Sequence, residues 1–172
     1  MILGLDVSTS ITGATLLDKN GNIIQNFAID TRKYKNFFDK AEQVELALRQ
    51  MKKVPTHIFI EQSLQSFRSG FSSAKTLSTL SRFNGVVSWI CYKTFDVEPE
   101  YIAATSARKS VGIKVPKGAK AKQCVVQYVV DNVPDVLIEY TKHGNPKPQC
   151  FDKADSWVIA RAGWNECQDQ TK

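Results

Sequence analysis

No uninterrupted apolar run in this 172-residue chain approaches the length of a membrane span, and no secretory signal pattern opens it. Met1-Ile2-Leu3 leads directly into strand-like sequence, so a cytoplasmic protein without a membrane partner is expected. Histidine is scarce. His57 precedes an apolar strand and His143 lies in a Gly-Asn-Pro loop, and neither has the partner that a Ser-His or Cys-His nucleophile needs. Paired cysteines are missing as well. Cys91, Cys124, Cys150 and Cys167 form no Cys-x-x-Cys motif and have no histidine couple nearby, which argues against zinc and for free thiols in a reducing compartment. Repeats, low-complexity tracts and linkers are also absent. A single domain over residues 1–172 is expected, with a frayed tail from about residue 165.

A different absence points toward a partner. No acidic residue occurs from Gln62 to Phe95, a stretch that holds Arg68, Lys75, Arg82 and Lys93. None occurs from Tyr101 to Val130, which holds Arg108, Lys109, Lys114, Lys117, Lys120 and Lys122. Solvated faces usually mix both signs. Two acid-free basic stretches in a chain of net charge +6 favour a polyanion.

Residues 1–7, 12–18 and 22–30 read as strands, the last two joined by a tight turn at Lys19-Asn20-Gly21. Residues 36–53 have helical spacing through Phe37, Ala41, Val44, Leu48 and Met51. Residues 56–61 form a continuous apolar strand of the central kind. After a polar loop over 63–73, a long helix is expected over 74–94, with Leu77, Leu80, Val87 and Ile90 in its core face. A fifth strand is expected over 97–103 and a short helix over 105–111 with Thr105 as N-cap. Further helices are expected over 120–132 and 152–164, separated by irregular chain. Three strands, then alternating helices and strands, give an α/β fold: a ribonuclease-H-like mixed five-stranded sheet flanked by helices.

Four carboxylates occupy strand ends and a helix start. Asp6 closes Leu3-Gly4-Leu5, Glu61 closes Ile58-Phe59-Ile60, and Asp152 and Asp155 open the final helix. A carboxylate at the end of a buried strand is costly without a partner, and oxygen donors of this kind suit Mg²⁺. Two such ions about 3.5–4 Å apart can clamp both oxygens of an in-line phosphoryl displacement. For Asp152 and Asp155 a plainer reading competes, because acids in a helix's first turn meet the macrodipole favourably.

These acids, in this order, resemble those of RuvC-type Holliday junction resolvases, over nearly the whole chain. Ile2-Leu3-Gly4-Leu5-Asp6 with Thr12-Gly13 is similar to the family's first strand pair, and Ile60-Glu61-Gln62 to its second acidic motif. Ala103–Gly112, the lysine-bearing 120–125 segment, and Asp152-Lys153-Ala154-Asp155-Ser156 continue the likeness. Two departures stand out. The family's Asp-Pro-Gly is Asp6-Val7-Ser8 here, and the stretch from Glu61 to Gly85 is a few residues longer, with Leu64 where the bacterial proteins have an aromatic. A phage or viral origin suits such variation.

The resemblance implies a metal-dependent endonuclease that resolves four-way DNA junctions and leaves 5′-phosphate and 3′-hydroxyl ends. It implies Mg²⁺, two ions per site with Mn²⁺ substituting, held by Asp6, Glu61, Asp152 and Asp155. Lys109 and Lys122 match positions of catalytic-site lysines. Arg68, Lys75, Arg82, Arg108, Lys114, Lys117 and Lys120 are candidates for phosphate contacts, and Phe67 and Phe71 for stacking at an opened junction. A homodimer formed through the long helix would match the junction's two-fold symmetry. The competing readings are a ribonuclease H acting on RNA–DNA hybrids and a non-catalytic branched-DNA-binding module. A phosphate-binding strand pair of the actin-like ATPase kind, suggested by Asp6, Ser8-Thr9 and Gly13, would need a second domain for which this chain is too short.

Overall fold

The structure is a computed structural model that describes residues 1–62 and 74–169. Five strands form one sheet: β1 (Ile2–Asp6), β2 (Ile11–Leu17), β3 (Ile23–Asp30), β4 (His57–Glu61) and β5 (Glu100–Ile102). Their order across the sheet is β3-β2-β1-β4-β5, with β1–β2 and β2–β3 antiparallel and β1–β4 and β4–β5 parallel. The helices are α1 (Phe37–Arg49), α2 (Ala74–Phe95), α3 (Ala104–Val111), α4 (Ala121–Asn132) and α5 (Pro148–Asp169). This is the expected mixed ribonuclease-H-like sheet with helices on both faces. Among the described residues no helix is long and apolar enough to cross a membrane.

Strand alternation divides the apolar residues between two cores. Leu3, Leu5, Ile58 and Ile60 face α1 and α2, where they meet Val44, Leu48, Phe83 and Val87. Ile2 and Phe59 face the other way, toward α3, α4 and α5. Helix α5 is covered by the sheet on one side and by α3 and α4 on the other, so its middle is buried around most of its circumference. Small residues let it lie close. A Cβ at Gly4 would stand 2.2 Å from the Ala160 nitrogen, and one at Gly163 would stand 2.2 Å from the Phe59 ring.

Several boundaries differ from the sequence expectation. The β2–β3 turn is held by the Asp18 carboxylate, which accepts from the N–H groups of Asn20 and Asn22 at 2.8 Å each, and positive φ falls on Gly21 alone. Strand β5 is confined to Glu100–Ile102, because Pro99 has no N–H to offer the sheet. Helix α3 starts at Ala104 with Ala103 as its N-cap, so Thr105 is inside the helix and does not cap it. Leu77 and Leu80 are only half-buried on α2, whose core face begins at Phe83. Helix α5 begins at Pro148 and not at Asp152, since proline's fixed φ and missing N–H suit the first helical position. It also continues past Trp164 to Asp169.

That last shift corrects the reading of the final acid pair. The first turn of α5 holds no acid, and both Asp152 and Asp155 lie inside the helix with 9% of their surface exposed. An N-terminal macrodipole role therefore does not account for them.

Candidate carboxylate centre and its basic surround

Strands β1 and β4 run parallel side by side with Leu5 opposite Ile60, so Asp6 and Glu61 leave the sheet at the same edge. Neighbouring strands are about 4.8 Å apart, which places the two backbones within reach of one bound group. The turn after Asp6 is built by Ser8. Its Oγ donates to the Ile11 carbonyl at 2.7 Å and accepts from the N–H groups of Ser10 and Ile11, in place of a proline-glycine turn. From α2, the buried Asn84 donates through Nδ2 to the Glu61 carbonyl at 3.0 Å and fixes the end of β4.

Helix α5 brings the second pair over this edge. Asp152 and Asp155 are three apart and share one helix face. Gly13, paired with Asp6 across β1 and β2, lies directly under them; a Cβ there would stand 1.9 Å from the Asp152 carbonyl oxygen. A buried polar clasp fixes the register. The Thr15 and Ser156 hydroxyls lie 2.8 Å apart, and Asn26 Nδ2 donates to Thr15 Oγ1 at 2.7 Å and to the Lys153 carbonyl at 3.0 Å. The carboxylate turn of α5 is thereby tied to both β2 and β3.

The electrostatics are those of four acids sharing one small volume. Burial, then Glu61 and Asp155, push the Asp6 carboxyl well above the usual carboxylate range. Burial and then Asp155 push Glu61 up to about 7, and burial is the main cause that lifts Asp152 to about 6. Asp155 is raised by burial and pulled back by Lys122. The Lys122 ammonium stands 3.5 Å from Asp155 Oδ2 and 3.9 Å from Asp152 Oδ1. Partial burial alone would lower its pKa, but the carboxylates, Asp6 first, raise it above the ordinary lysine value. Arg108 also acts on Glu61 and Asp155.

Among the described residues no three acidic, histidine or cysteine side chains close on a point that would hold one metal ion. The donor set still fits a hard divalent cation in kind. It is all oxygen, and burial together with the neighbouring acids raises these carboxyl pKa values even beside Lys122 and Arg108.

These raised carboxyls have a measurable consequence. A carboxyl whose folded pKa exceeds its unfolded value binds more protons in the folded state, so stability falls as pH rises between the two values. For Glu61 the window runs from 4.5 to about 7, and for Asp152 from 3.8 to about 6. Metal-free protein is expected to lose thermal stability from about pH 4 to 7 through these groups, and Mg²⁺ is expected to raise Tm more at pH 8 than at pH 5. Melting curves with EDTA or Mg²⁺ at the two pH values test this; an equal Mg²⁺ effect at both would contradict it.

Arg108, Lys109 and Lys114 line a shallow pocket of about 340 Å³ with Gly112 and Ile113. Lys109 is exposed there, whereas its neighbour Arg108 is half-buried and faces the acids electrostatically. Lys117 and Lys120 are exposed on the segment leading to α4, and Lys75 and Arg82 on α2. Arg68, Phe67 and Phe71 lie outside the described residues. Sequence reasoning missed the positioning residues Ser8, Thr15, Asn26, Asn84 and Ser156. For Asn84 a signal existed, since it falls on the same helical stripe as Phe83, Val87 and Cys91.

The fold is that of structurally characterised resolvases. Thermus thermophilus RuvC in complex with a Holliday junction substrate matches with a TM-score of 0.68 at 13% identity, over 99% of this chain and 96% of that one. T. thermophilus RuvC in a second structure gives a TM-score of 0.63 at 16% identity, with 99% and 96% coverage. The yeast mitochondrial Holliday junction resolvase Ydc2 gives 0.63 at 16% identity, over 98% of this chain and 79% of its own. No family model matches the sequence, and no curated protein matches it.

Proposed function

We propose that this chain is a cytoplasmic endonuclease that resolves four-way DNA junctions, hydrolysing a phosphodiester to leave 5′-phosphate and 3′-hydroxyl ends. The observation that carries the reading is the meeting of Asp6 and Glu61 on adjacent parallel strands with Asp152 and Asp155 of α5, in a fold whose solved examples include a resolvase bound to its junction. Mg²⁺, with Mn²⁺ able to replace it, would be held by these four carboxylates as two ions, and would supply the Lewis acidity that activates water and stabilises the leaving oxygen.

The chain's own residues do the rest. Asp6 and Glu61 are half-buried, and burial disfavours both as bare anions, so a cation is a favourable partner for them. Lys122, kept protonated by the acids around it, places a mobile positive charge where charge develops on the scissile phosphate. Arg108, Lys109, Lys114, Lys117 and Lys120 approach from the α3 side, and Lys75 and Arg82 from α2, as contacts that position the sugar–phosphate backbone.

A symmetric cut calls for two copies. A mostly apolar groove of about 560 Å³ runs between α1 and α2, lined by Phe37, Phe38, Gly85, Val86 and Trp89 together with Arg82, whose guanidinium lies over the Phe37 ring. Phe38 is 68% exposed, Trp89 57% and Tyr92 52%, a grouping suited to the corresponding helix of a second copy.

One experiment tests the reading. The protein is incubated with Mg²⁺ and, separately, a four-way junction, a flap, a linear duplex and an RNA–DNA hybrid. Paired symmetric nicks in the junction are the expected result. Cleavage confined to the hybrid would make the chain a ribonuclease H, and binding of the junction without cleavage under Mg²⁺ or Mn²⁺ would make it a non-catalytic junction-binding module.

A further inference from the structure

The sheet edge that carries Asp6 and Glu61 has two ends. At the β5 end the chain passes into α3 and reaches Arg108 and Lys109. At the β3 end it leaves Asp30 and runs through Arg32, Lys33, Tyr34 and Lys35 before α1 begins. The strand order puts the carboxylates between these two ends.

The β3-end segment is fastened to the turn that follows Asp6. Thr31 is fully buried; its N–H donates to the Ser10 carbonyl at 2.9 Å, and its Oγ1 lies 3.0 Å from the Thr9 carbonyl oxygen and 3.1 Å from that of Ser10. Lys40 Nζ donates to the Thr9 carbonyl at 2.6 Å from the other side. Between these anchors Arg32, Lys33 and Lys35 are exposed. Tyr34 is half-buried, its N–H bonded to the Thr31 carbonyl at 3.0 Å, and the Lys33 ammonium lies 5.0 Å from the centre of its ring.

Asp30 accepts from Arg32 Nε at 2.9 and 3.1 Å and orients the guanidinium; Nη1 makes no bond among the described residues. A guanidinium offers five donors, so a phosphate can still be bound alongside the aspartate. The segment is also electrically joined to the centre. Burial raises the Asp152 carboxyl, and Arg32 is among the cations close enough to pull it back down.

We propose that Arg32, Lys33 and Lys35 form a second phosphate-binding track, on the opposite side of the carboxylates from α3 and its basic loop. A DNA strand whose scissile phosphate lies at Asp6 and Glu61 is then gripped on both sides of the cut. Five strands at about 4.8 Å span roughly 19 Å, the axial rise of five to six nucleotides at about 3.4 Å each. The track rests on the nuclease reading above and extends it to the path of the strand.

The test measures junction binding by fluorescence anisotropy in EDTA, between about 50 and 200 mM salt. Wild type is compared with the triple variant Arg32→Gln/Lys33→Gln/Lys35→Gln, and with Lys19→Gln/Lys52→Gln/Lys53→Gln. The second removes the same charge from exposed lysines that flank the far ends of the strands. The track variant is expected to bind about ten- to a hundredfold more weakly, with a log–log salt slope shallower by about two to three. The control is expected to keep the wild-type slope. Equal slopes for wild type and the track variant, or equal losses in both variants, would overturn the track and leave the nuclease reading intact. Failure of wild type to bind the junction at any salt would remove the nuclease reading and the track with it. All six substituted side chains are exposed, and matching melting curves confirm that the variants are folded.

Discussion

Asp6→Asn is expected to lower single-turnover cleavage of a four-way junction by about a thousandfold or more, close to 4 kcal/mol of transition-state stabilisation. Junction affinity should be retained, because the proposed phosphate contacts lie on other elements. The same substitution removes an acid that burial, then Glu61 and Asp155, disfavour as an anion. Metal-free Asp6→Asn should therefore melt higher than wild type at pH 8, with the gap closing near pH 4, where the wild-type acid is already protonated. A loss of activity alone would fit many kinds of damage. Lost cleavage, retained binding and increased stability at high pH together fit only a charge held in place for function. Wild-type cleavage rates in the variant would exclude Asp6 from the chemistry.

Gly13→Ala is the second substitution with a large expected effect. Its new Cβ would meet the Asp152 carbonyl at 1.9 Å and the carbonyl carbon at 2.4 Å, both backbone atoms of a buried helix that cannot rotate away. Helix α5 must lift from β2 to make room, which strains the clasp of Thr15, Asn26 and Ser156. Overpacking of this kind costs about 3 kcal/mol. For a domain of this size that is a fall in Tm of about 6–12 °C. Cleavage per folded molecule should also fall by about tenfold or more, since misplacing catalytic groups by an ångström is itself costly. A variant with wild-type Tm and wild-type rate would show that α5 does not depend on close contact at Gly13.

Much of this architecture is legible in the sequence because its signals are local. The apolar run of β4 and the helical stripe of α1 each sit within one element and are visible there. Errors arose where one residue has two meanings. A proline such as Pro148 suggests a break in sequence, yet in the first turn of a helix it is favourable, so α5 starts four residues before Asp152 and the macrodipole reading of Asp152 and Asp155 falls away. Pro99 has the opposite effect, cutting β5 short inside a stretch with strand composition.

The centre itself divides in the same way. That Asp6 and Glu61 end apolar strands is visible in sequence, but their adjacency depends on β1 and β4 being parallel neighbours across fifty intervening residues. Thr15, Asn26 and Ser156 look like ordinary polar strand and helix residues. Only the packing of α5 across β2 and β3 turns them into the clasp that sets the acids. The basic segment after β3 is inconspicuous in sequence for a related reason. Asp30 and Asp39 flank it, so it is not an acid-free stretch, and its nearness to the centre is a property of strand order.

Helix α5 follows every strand in the chain and lies against β1, β2, β3 and β4. It carries half of the carboxylates and covers four of the five strands on one face of the sheet. During synthesis, domains emerge from the N-terminal side at about 5–20 residues per second. For several seconds the nascent chain therefore has Asp6 and Glu61 but no Asp152 or Asp155, and an open apolar face over the residues that α5 will cover. A chain that stalls before α5 is released would be prone to aggregate and would have no complete acidic centre. Folding and the assembly of the four-acid site are thus completed by the same docking event.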